Sequence, residues 1–243
     1  MSDPWYLTPS DFLGNLEEPH RTDFARLGEC RAYAKHDFVF RSGDPGHHVY
    51  VLKEGRAKIF KVSESGKEVI LWFCFPGEMF GLAEASRGGS RDVYAQGCTD
   101  LRIQRIARRQ FVQFVEARPR VALQVIDLLS CRLRVLGDIL TNLATDDAGS
   151  RVIKLLLRLC SRYGRLDGAG GICLDIPLTH QEMADMLGAS RQTVSTVISE
   201  LKKSGALQVR QRQLYLHPGR LEHLLLKIAD DDASAAPLAP RSQ

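Results

Sequence analysis

Two short helical patterns separated by a tight turn, between residues 178 and 207, constrain this chain more than any other feature. Thr179 is followed three residues later by Glu182, the spacing of a capping box, which predicts that the first helix begins there. Gly188 predicts the end of that helix, and Ser190 is a typical N-cap for the next one. The segment therefore predicts a helix-turn-helix unit.

The second helix of this unit has one apolar and one polar face. Val194, Val197, Ile198 and Leu201 recur at helical spacing before Gly205, which suits the C′ position. The polar face and the turn before it carry donors and acceptors that suit base edges and phosphates, although an amphipathic hairpin with a solvated face has the same pattern. The candidate DNA-contacting residues are Thr179, Gln181, Ser190, Arg191, Gln192, Thr193, Ser195 and Thr196.

A strand hairpin is predicted directly after these helices. Leu207–Arg210 and Gln213–Leu216 both alternate in hydrophobicity around a short polar turn. A hairpin in this place is typical of a winged helix-turn-helix, and Arg210 and Arg212 would then meet phosphates at its tip. The wing favours DNA binding over the plain helical hairpin.

Composition limits the remaining classes of protein. A length of 243 residues with 44% hydrophobic content suits two compact domains, and a net charge of +4 permits nucleic-acid binding without requiring it. The 6 cysteines form no C-x-x-C pair, so neither a zinc site nor a disulfide framework is predicted. Because no signal peptide and no apolar run of membrane-spanning length is found, we expect a cytoplasmic protein without a membrane partner.

Short alternating runs punctuated by glycine fill the segment from about Ala34 to Arg109. Breaks at residues 43–46, 76–77 and 88–89 fit tight turns. This pattern predicts a small antiparallel β-roll whose interior could hold a ligand. The predicted strands are Val49–Leu52, Ala57–Val62, Glu68–Phe75, Val93–Ala95 and Leu101–Ala107.

A long helical pattern follows, from about Pro119 to Thr141, and only Arg132 interrupts its three–four alternation of apolar residues. This alternation is typical of a coiled-coil seam, although a helix facing the core of its own domain can also produce it. We favour a dimer interface, because a protein that reads a palindrome needs a two-fold axis. The predicted seam residues are Val125, Leu129, Leu136, Ile139 and Leu143.

Together these patterns predict an α+β chain with an N-terminal antiparallel β-roll, a long dimerisation helix and a C-terminal winged helix-turn-helix. A short helix from Pro9 to Asn15 is expected near the N-terminus, and a hinge at Asp146–Ser150. The predicted parts are an N-terminal segment (1–22), the roll (23–118), the dimerisation helix (119–146), the winged domain (147–229) and a disordered tail (230–243).

This order of parts resembles the cAMP receptor protein and FNR family of bacterial transcription regulators, from about Asp23 to Ala229. Its most specific pieces are Gly-Ala-Ser-Arg-Gln-Thr-Val at 188–194 and Pro-Gly-Glu-Met-Phe-Gly at 76–81, which leads into the segment where family members bind a cyclic nucleotide phosphate. The resemblance implies an effector-gated homodimer that reads a palindromic DNA site through a recognition helix at 191–204, with RNA polymerase as a further partner.

The resemblance also places candidate DNA contacts on the recognition helix. Arg191 matches the position that family members use on a phosphate or a guanine. Gln192 stands where many relatives carry a glutamate, and Thr196 replaces a second arginine. Glutamine suits adenine, so the half-site is expected to differ from that of those relatives at one base pair. A phosphate contact by Gln192 is the alternative.

The candidate effector site departs from the pattern of cAMP-binding members. Leu82 follows Gly81, where those members carry a glutamate for the ribose, and Asp92 stands where a serine or threonine would meet the phosphate. Leu136 and Gly137 align with the pair that contacts adenine, and they offer no side-chain hydrogen bond. Cyclic AMP is therefore not the expected effector.

The sequence bears differently on two other ligands, a different nucleotide and an iron–sulfur cluster. A different nucleotide, such as a cyclic dinucleotide, would be held by Arg87, Arg91 and Arg132, which could equally be salt-bridge residues. An iron–sulfur cluster is not expected, because only Cys30 precedes the roll.

Haem ligation also stays open, with candidate axial ligands Cys74, His47 and His48, although packing and loop roles explain these residues as well. An enzyme is not predicted, because adjacent histidines point to opposite faces of a strand and make no metal triad. The alternative function is a ligand-binding or haem-binding sensor whose output is not direct DNA binding.

Overall fold

The computed structural model describes residues 11–167, 171–174, 176, 178–210 and 213–235, with the backbone alone for residues 229–235. The chain divides into two compact units, Met1–Asp138 and Ile139–Gln243. No helix in the described part of the chain is both long enough and apolar enough to cross a membrane.

The first unit is a roll of two antiparallel sheets flanked by helices. Its elements are α1 (Phe12–Asn15), α2 (His20–Ala25), β1 (Glu29–Tyr33), β2 (Phe38–Phe40), β3 (His48–Glu54), β4 (Ala57–Val62), β5 (Glu68–Cys74), β6 (Met79–Phe80), β7 (Tyr94–Gly97), β8 (Leu101–Ala107), α3 (Arg108–Glu116) and α4 (Pro119–Thr145), whose last turns belong to the second unit. The sheets have the strand orders β1-β8-β3-β6 and β2-β7-β4-β5.

Strand β3 is buried on both faces because it separates two hydrophobic cores. Alternate side chains of a strand point to opposite faces, so Tyr50 and Leu52 enter the core between the two sheets. Val49 and Val51 enter the core between this sheet and the helices, where Phe24 also packs. Strand β3 therefore contributes side chains both to the core of the roll and to the core under the helices.

Helix α4 carries two apolar stripes rather than one. Val121 and Leu128 are buried in the helix-side core of the roll, and Val125 packs against them partly buried. Val125, predicted in the seam, therefore lies on the stripe that faces its own domain. The other stripe is largely solvent-exposed and consists of Ile126, Leu129, Leu133, Leu136, Leu140 and Leu143, of which only Leu136 is half-buried.

The second unit consists of a central helix, a helix-turn-helix and a small sheet. Its elements are α5 (Ala148–Tyr163), β9 (Arg165–Leu166), β10 (Ile172–Leu174), α6 (His180–Leu187), α7 (Arg191–Lys203), β11 (Leu207–Arg210), β12 (Gln213–Leu216) and α8 (Pro218–Ala235). The sheet has the strand order β11-β12-β10-β9. Asp147 caps α5 by accepting hydrogen bonds from the backbone of Gly149 and Ser150.

At two places the structure divides the chain differently from the predicted boundaries. The division between the units lies inside α4, upstream of the predicted hinge at 146–150, because Ile139 and Leu143 in the last turns of α4 line a small cavity with Leu155 of α5 and Met186 of α6. Helix α8 runs to Ala235, into the tail predicted to be disordered from residue 230. No glycine or proline interrupts residues 230–235, so the local sequence permits this extension.

Candidate nucleic-acid interface

The two helices of the helix-turn-helix begin at the predicted caps. The backbone N–H of Glu182 donates to Thr179 Oγ1 at 3.1 Å, and the backbone N–H of Thr179 donates to Glu182 Oε2 at 2.8 Å. Gly188 ends α6 with a φ of +60°, a conformation that favours glycine. Ser190 Oγ accepts from the backbone N–H of Thr193 at 3.0 Å and starts α7. Capping box, turn glycine and N-cap are all confirmed.

Helix α7 buries Val194, Ile198 and Leu201 and exposes the opposite face. On that face the Thr196 hydroxyl donates to the Gln192 carbonyl at 3.1 Å, and the Ser199 hydroxyl donates to the Ser195 carbonyl at 2.8 Å. These hydroxyl protons are thus used within the helix. The long exposed side chains of its first turn are Arg191 and Gln192.

The remaining candidates on this surface are held by local hydrogen bonds. The Gln181 amide donates to Asp185 Oδ1 at 2.8 Å along α6. The hydroxyls of Ser190 and Thr193 lie 2.7 Å apart. These contacts fix the side chains at the turn, so a DNA backbone placed there would meet an ordered polar surface.

His180 belongs to this surface and was missed by sequence reasoning. It is the first residue of α6 and is half-buried. Burial lowers the pKa of His180, and the positive charges of Lys202 and Arg191 lower the pKa further. Two cations therefore act on this imidazole from α7. The available signal was its place directly after the capping residue Thr179.

The wing consists of β11 and β12, which pair antiparallel from Leu207 opposite Leu216 to Arg210 opposite Gln213. Arg210 Nη2 donates to Gln208 Oε1 at 2.6 Å, and its guanidinium carbon lies 5.2 Å from the centroid of the Tyr215 ring. Arg210 is thus positioned at the wing tip. Arg212 lies outside the described residues.

In the roll, the candidate effector residues do not form one site. Arg91 is buried, donates to the Gly81 carbonyl at 3.0 Å and forms an ion pair with Glu84. Asp92 points outward and pairs with Lys61 at 2.6 Å. Gly81 and Arg91 are therefore brought together, whereas Asp92 is turned away from them.

The other effector candidates lie in different surroundings. Leu82 is buried in the helix-side core. Arg132 donates to the Met79 carbonyl and lies 5.2 Å from the centroid of the Trp72 ring. Arg87 is exposed. Glu84, which sequence reasoning did not select, is the residue that forms the ion pair with Arg91.

The three haem candidates lie in different surroundings, and His47 is exposed. His48 Nε2 lies 3.0 Å from Arg105 Nη2, and burial followed by the Arg105 charge lowers the pKa of His48. Cys74 is buried in the core between the sheets. Among the described residues, no group of three or more histidine, cysteine or acidic side chains is arranged to hold a metal ion.

Comparison with known proteins matches a part of each unit to a known domain family. The cyclic nucleotide-binding domain family matches residues 30–118, and the Crp-like helix-turn-helix domain family matches residues 150–224. The CRP-like cAMP-activated global transcriptional regulator of Mycobacterium tuberculosis is 30% identical over 178 residues, which cover 73% of this chain and 79% of that protein. This chain belongs to the Crp-Fnr family of transcription regulators.

Solved structures of Crp-Fnr regulators have the same fold. FixK2 from Bradyrhizobium japonicum is 26% identical with a TM-score of 0.72, and the match covers 82% of this chain and 97% of that one. A CooA mutant from Carboxydothermus hydrogenoformans is 26% identical with a TM-score of 0.73, over 90% and 96% of the two chains. The predicted family, fold class and DNA-binding regulator function are confirmed.

Proposed function

We propose that this Crp-Fnr regulator binds a palindromic DNA site as a homodimer and reads one half-site with α7 of each protomer. The observation that carries the proposal is the exposed first turn of α7, where Arg191 and Gln192 extend from a helix whose other face is buried. An arginine can bind guanine through two hydrogen bonds, and a glutamine can bind adenine in the same way. Arg210 in the wing supplies a contact to phosphate.

The exposed stripe of α4 supports the dimer. Its residues follow a three–four alternation from Ile126 to Leu143, and Leu133 and Leu140 are 72% and 69% exposed. Monomeric proteins rarely expose a continuous apolar strip of this kind, and a second copy of the same helix would cover it as a coiled coil. Leu129, Leu136 and Leu143 of the predicted seam lie on this stripe.

We propose that cyclic AMP is not the effector. Leu82 is buried in the core and Asp92 is exposed and paired with Lys61, so neither offers a ribose or phosphate contact. Each missing hydrogen bond to a buried ligand group costs about 1–3 kcal/mol, enough together to weaken binding by orders of magnitude. Haem is not supported either, because His48 is hydrogen-bonded to Arg105, Cys74 is buried in the core between the sheets and His47 is exposed.

The cellular location and the protein partner that we propose follow from a function in transcription regulation. We place the protein in the cytoplasm, where a bacterial chromosome lies, and name RNA polymerase as its partner on DNA. We propose no catalytic role for the chain, because the relative from Mycobacterium tuberculosis is a transcriptional regulator.

Selection from random duplexes tests the proposed function. We expect an enriched motif with two inverted half-sites whose centres are one helical turn, about 10 base pairs, apart. A single asymmetric motif would contradict dimeric reading. No enrichment at all would contradict sequence-specific binding by α7.

A further inference from the structure

Arg91 is the most deeply buried cation of the roll for which an ion pair is described. Its side chain is 1% exposed, and that of its partner Glu84 is 9% exposed. The guanidinium also donates to the backbone carbonyls of Gly81 and His48. Its carbon lies 4.4 Å from the centroid of the Phe40 ring, so an aromatic face covers it.

A guanidinium in such a place requires an anion. Removing two charges from water costs several kcal/mol for each ion, and the cost is offset only when the charges pair closely and their hydrogen bonds are satisfied. Glu84 supplies this negative charge. The Nε of Arg91 is buried with no hydrogen-bond partner among the described residues, so one donor of the guanidinium is still unsatisfied.

Glu84 is held in this position by a close-packed loop. A Cβ added at Gly46 would lie 2.5 Å from Cβ and 2.7 Å from Cγ of Glu84, so only glycine permits this approach. The backbone N–H of Gly46 donates to the Gly89 carbonyl at 2.8 Å, and that of Gly88 donates to the Glu84 carbonyl at 2.8 Å. The first two side-chain carbons of Glu84 therefore lie directly against the backbone of Gly46, in a loop that these hydrogen bonds hold.

We propose that Glu84 is a built-in counter-ion that occupies, on Arg91, the place of an anionic ligand group. A small oxyanion, a phosphate or a carboxylate, can reach Arg91 only if it displaces Glu84. The native roll is therefore closed to such ligands, and removal of the carboxylate exposes an anion site with an uncompensated guanidinium. The pair lies within one roll, so this inference holds whether or not the chain binds DNA as a dimer.

Thermal unfolding of the full chain, with inorganic phosphate as the probe against chloride at equal ionic strength, tests the inference. In chloride, Glu84→Ala should lower the melting temperature of the roll by about 10 °C, because a buried charge is left unpaired. Phosphate should recover much of this loss in the variant and leave the native protein unchanged.

Two controls separate this site from a general effect of phosphate. Glu54→Ala breaks the exposed pair of Glu54 and Arg102, and it should show no response to phosphate. Glu84→Leu combined with Arg91→Met removes both charges, and it should be insensitive to phosphate as well.

A second variant, Glu84→Gln, keeps the side-chain volume and should show the same phosphate-dependent stabilisation. A variant that folds only when phosphate is present would also support the proposal, because its folding would then depend on the anion. If neither variant is stabilised by phosphate, or if the native protein is stabilised equally, Glu84 does not stand in for a ligand anion.

Discussion

Gln192 is the side chain from which we predict the sequence of the half-site most specifically. It is exposed in the first turn of α7, and its amide can donate to and accept from adenine at once. A glutamate at this position can accept hydrogen bonds but cannot donate them. Gln192→Glu should therefore move the preference at one symmetric base pair toward cytosine, with a change of about 1–3 kcal/mol per contact.

Competition between duplexes that differ only at that base pair measures the change. Gln208→Glu in the wing makes the same substitution at a residue bonded to Arg210, and it should alter affinity without altering base preference. Equal preferences of the native protein and Gln192→Glu would mean that Gln192 contacts the backbone alone.

We predict that His180 makes DNA binding dependent on pH. Its pKa is lowered in the free protein by burial and by Lys202 and Arg191, so the imidazole is neutral at pH values where an exposed histidine is already charged. Phosphates opposite this surface favour the charged form and raise that pKa in the complex. The complex then binds more protons, so affinity should rise as the pH falls through the window between the two pKa values, by at most about tenfold per pH unit for each proton.

Affinity titrations across this pH range measure the effect on DNA binding. His180→Gln should flatten the dependence, and His223→Gln on α8 should leave it as in the native protein. A dependence that survives in His180→Gln would assign the titration to another group.

At the scale of elements, the proposed dimer depends on α4. Leu133 lies in the middle of the exposed stripe, and across a two-fold axis it would face the stripe of the second copy. Leu133→Glu places two carboxylates in this desolvated contact and should shift the equilibrium to monomer at micromolar concentration. Sedimentation velocity measures the result.

The matched control uses a leucine outside the stripe. Leu166 in β9 is 84% exposed, so Leu166→Glu should leave the sedimentation coefficient unchanged. A Leu133→Glu protein that remains dimeric would show that this stripe is not the interface.

Elements governed by local rules could be predicted from the sequence. The capping box at Thr179 and the left-handed Gly188 depend on a few neighbouring residues, and the structure has both. Strand β1 (Glu29–Tyr33) could not be predicted, because most of its residues are exposed and it exists through its pairing with β8. The seam register was ambiguous for a related reason, since both stripes of α4 have the same spacing.

Over the whole molecule, the candidate DNA surface was more predictable than the effector site. Arg191 and Gln192 follow each other in one helix, so helical geometry places them on the surface together. Arg91 and Asp92 are also adjacent, but one is buried against Glu84 and the other is exposed beside Lys61. The backbone of Arg91 is held by hydrogen bonds with Gly43 and Asp44, which are distant in the sequence, so no local pattern predicts these surroundings.

The central claim is that two copies of this chain together bind one symmetric DNA site. The most direct measurement is the stoichiometry and affinity of the full chain on the selected symmetric duplex and on the same duplex with one half-site scrambled. We expect two protomers on the symmetric duplex and a loss of affinity of at least about a hundredfold when one half-site is scrambled. One protomer per duplex, or equal affinity for the two duplexes, would contradict it.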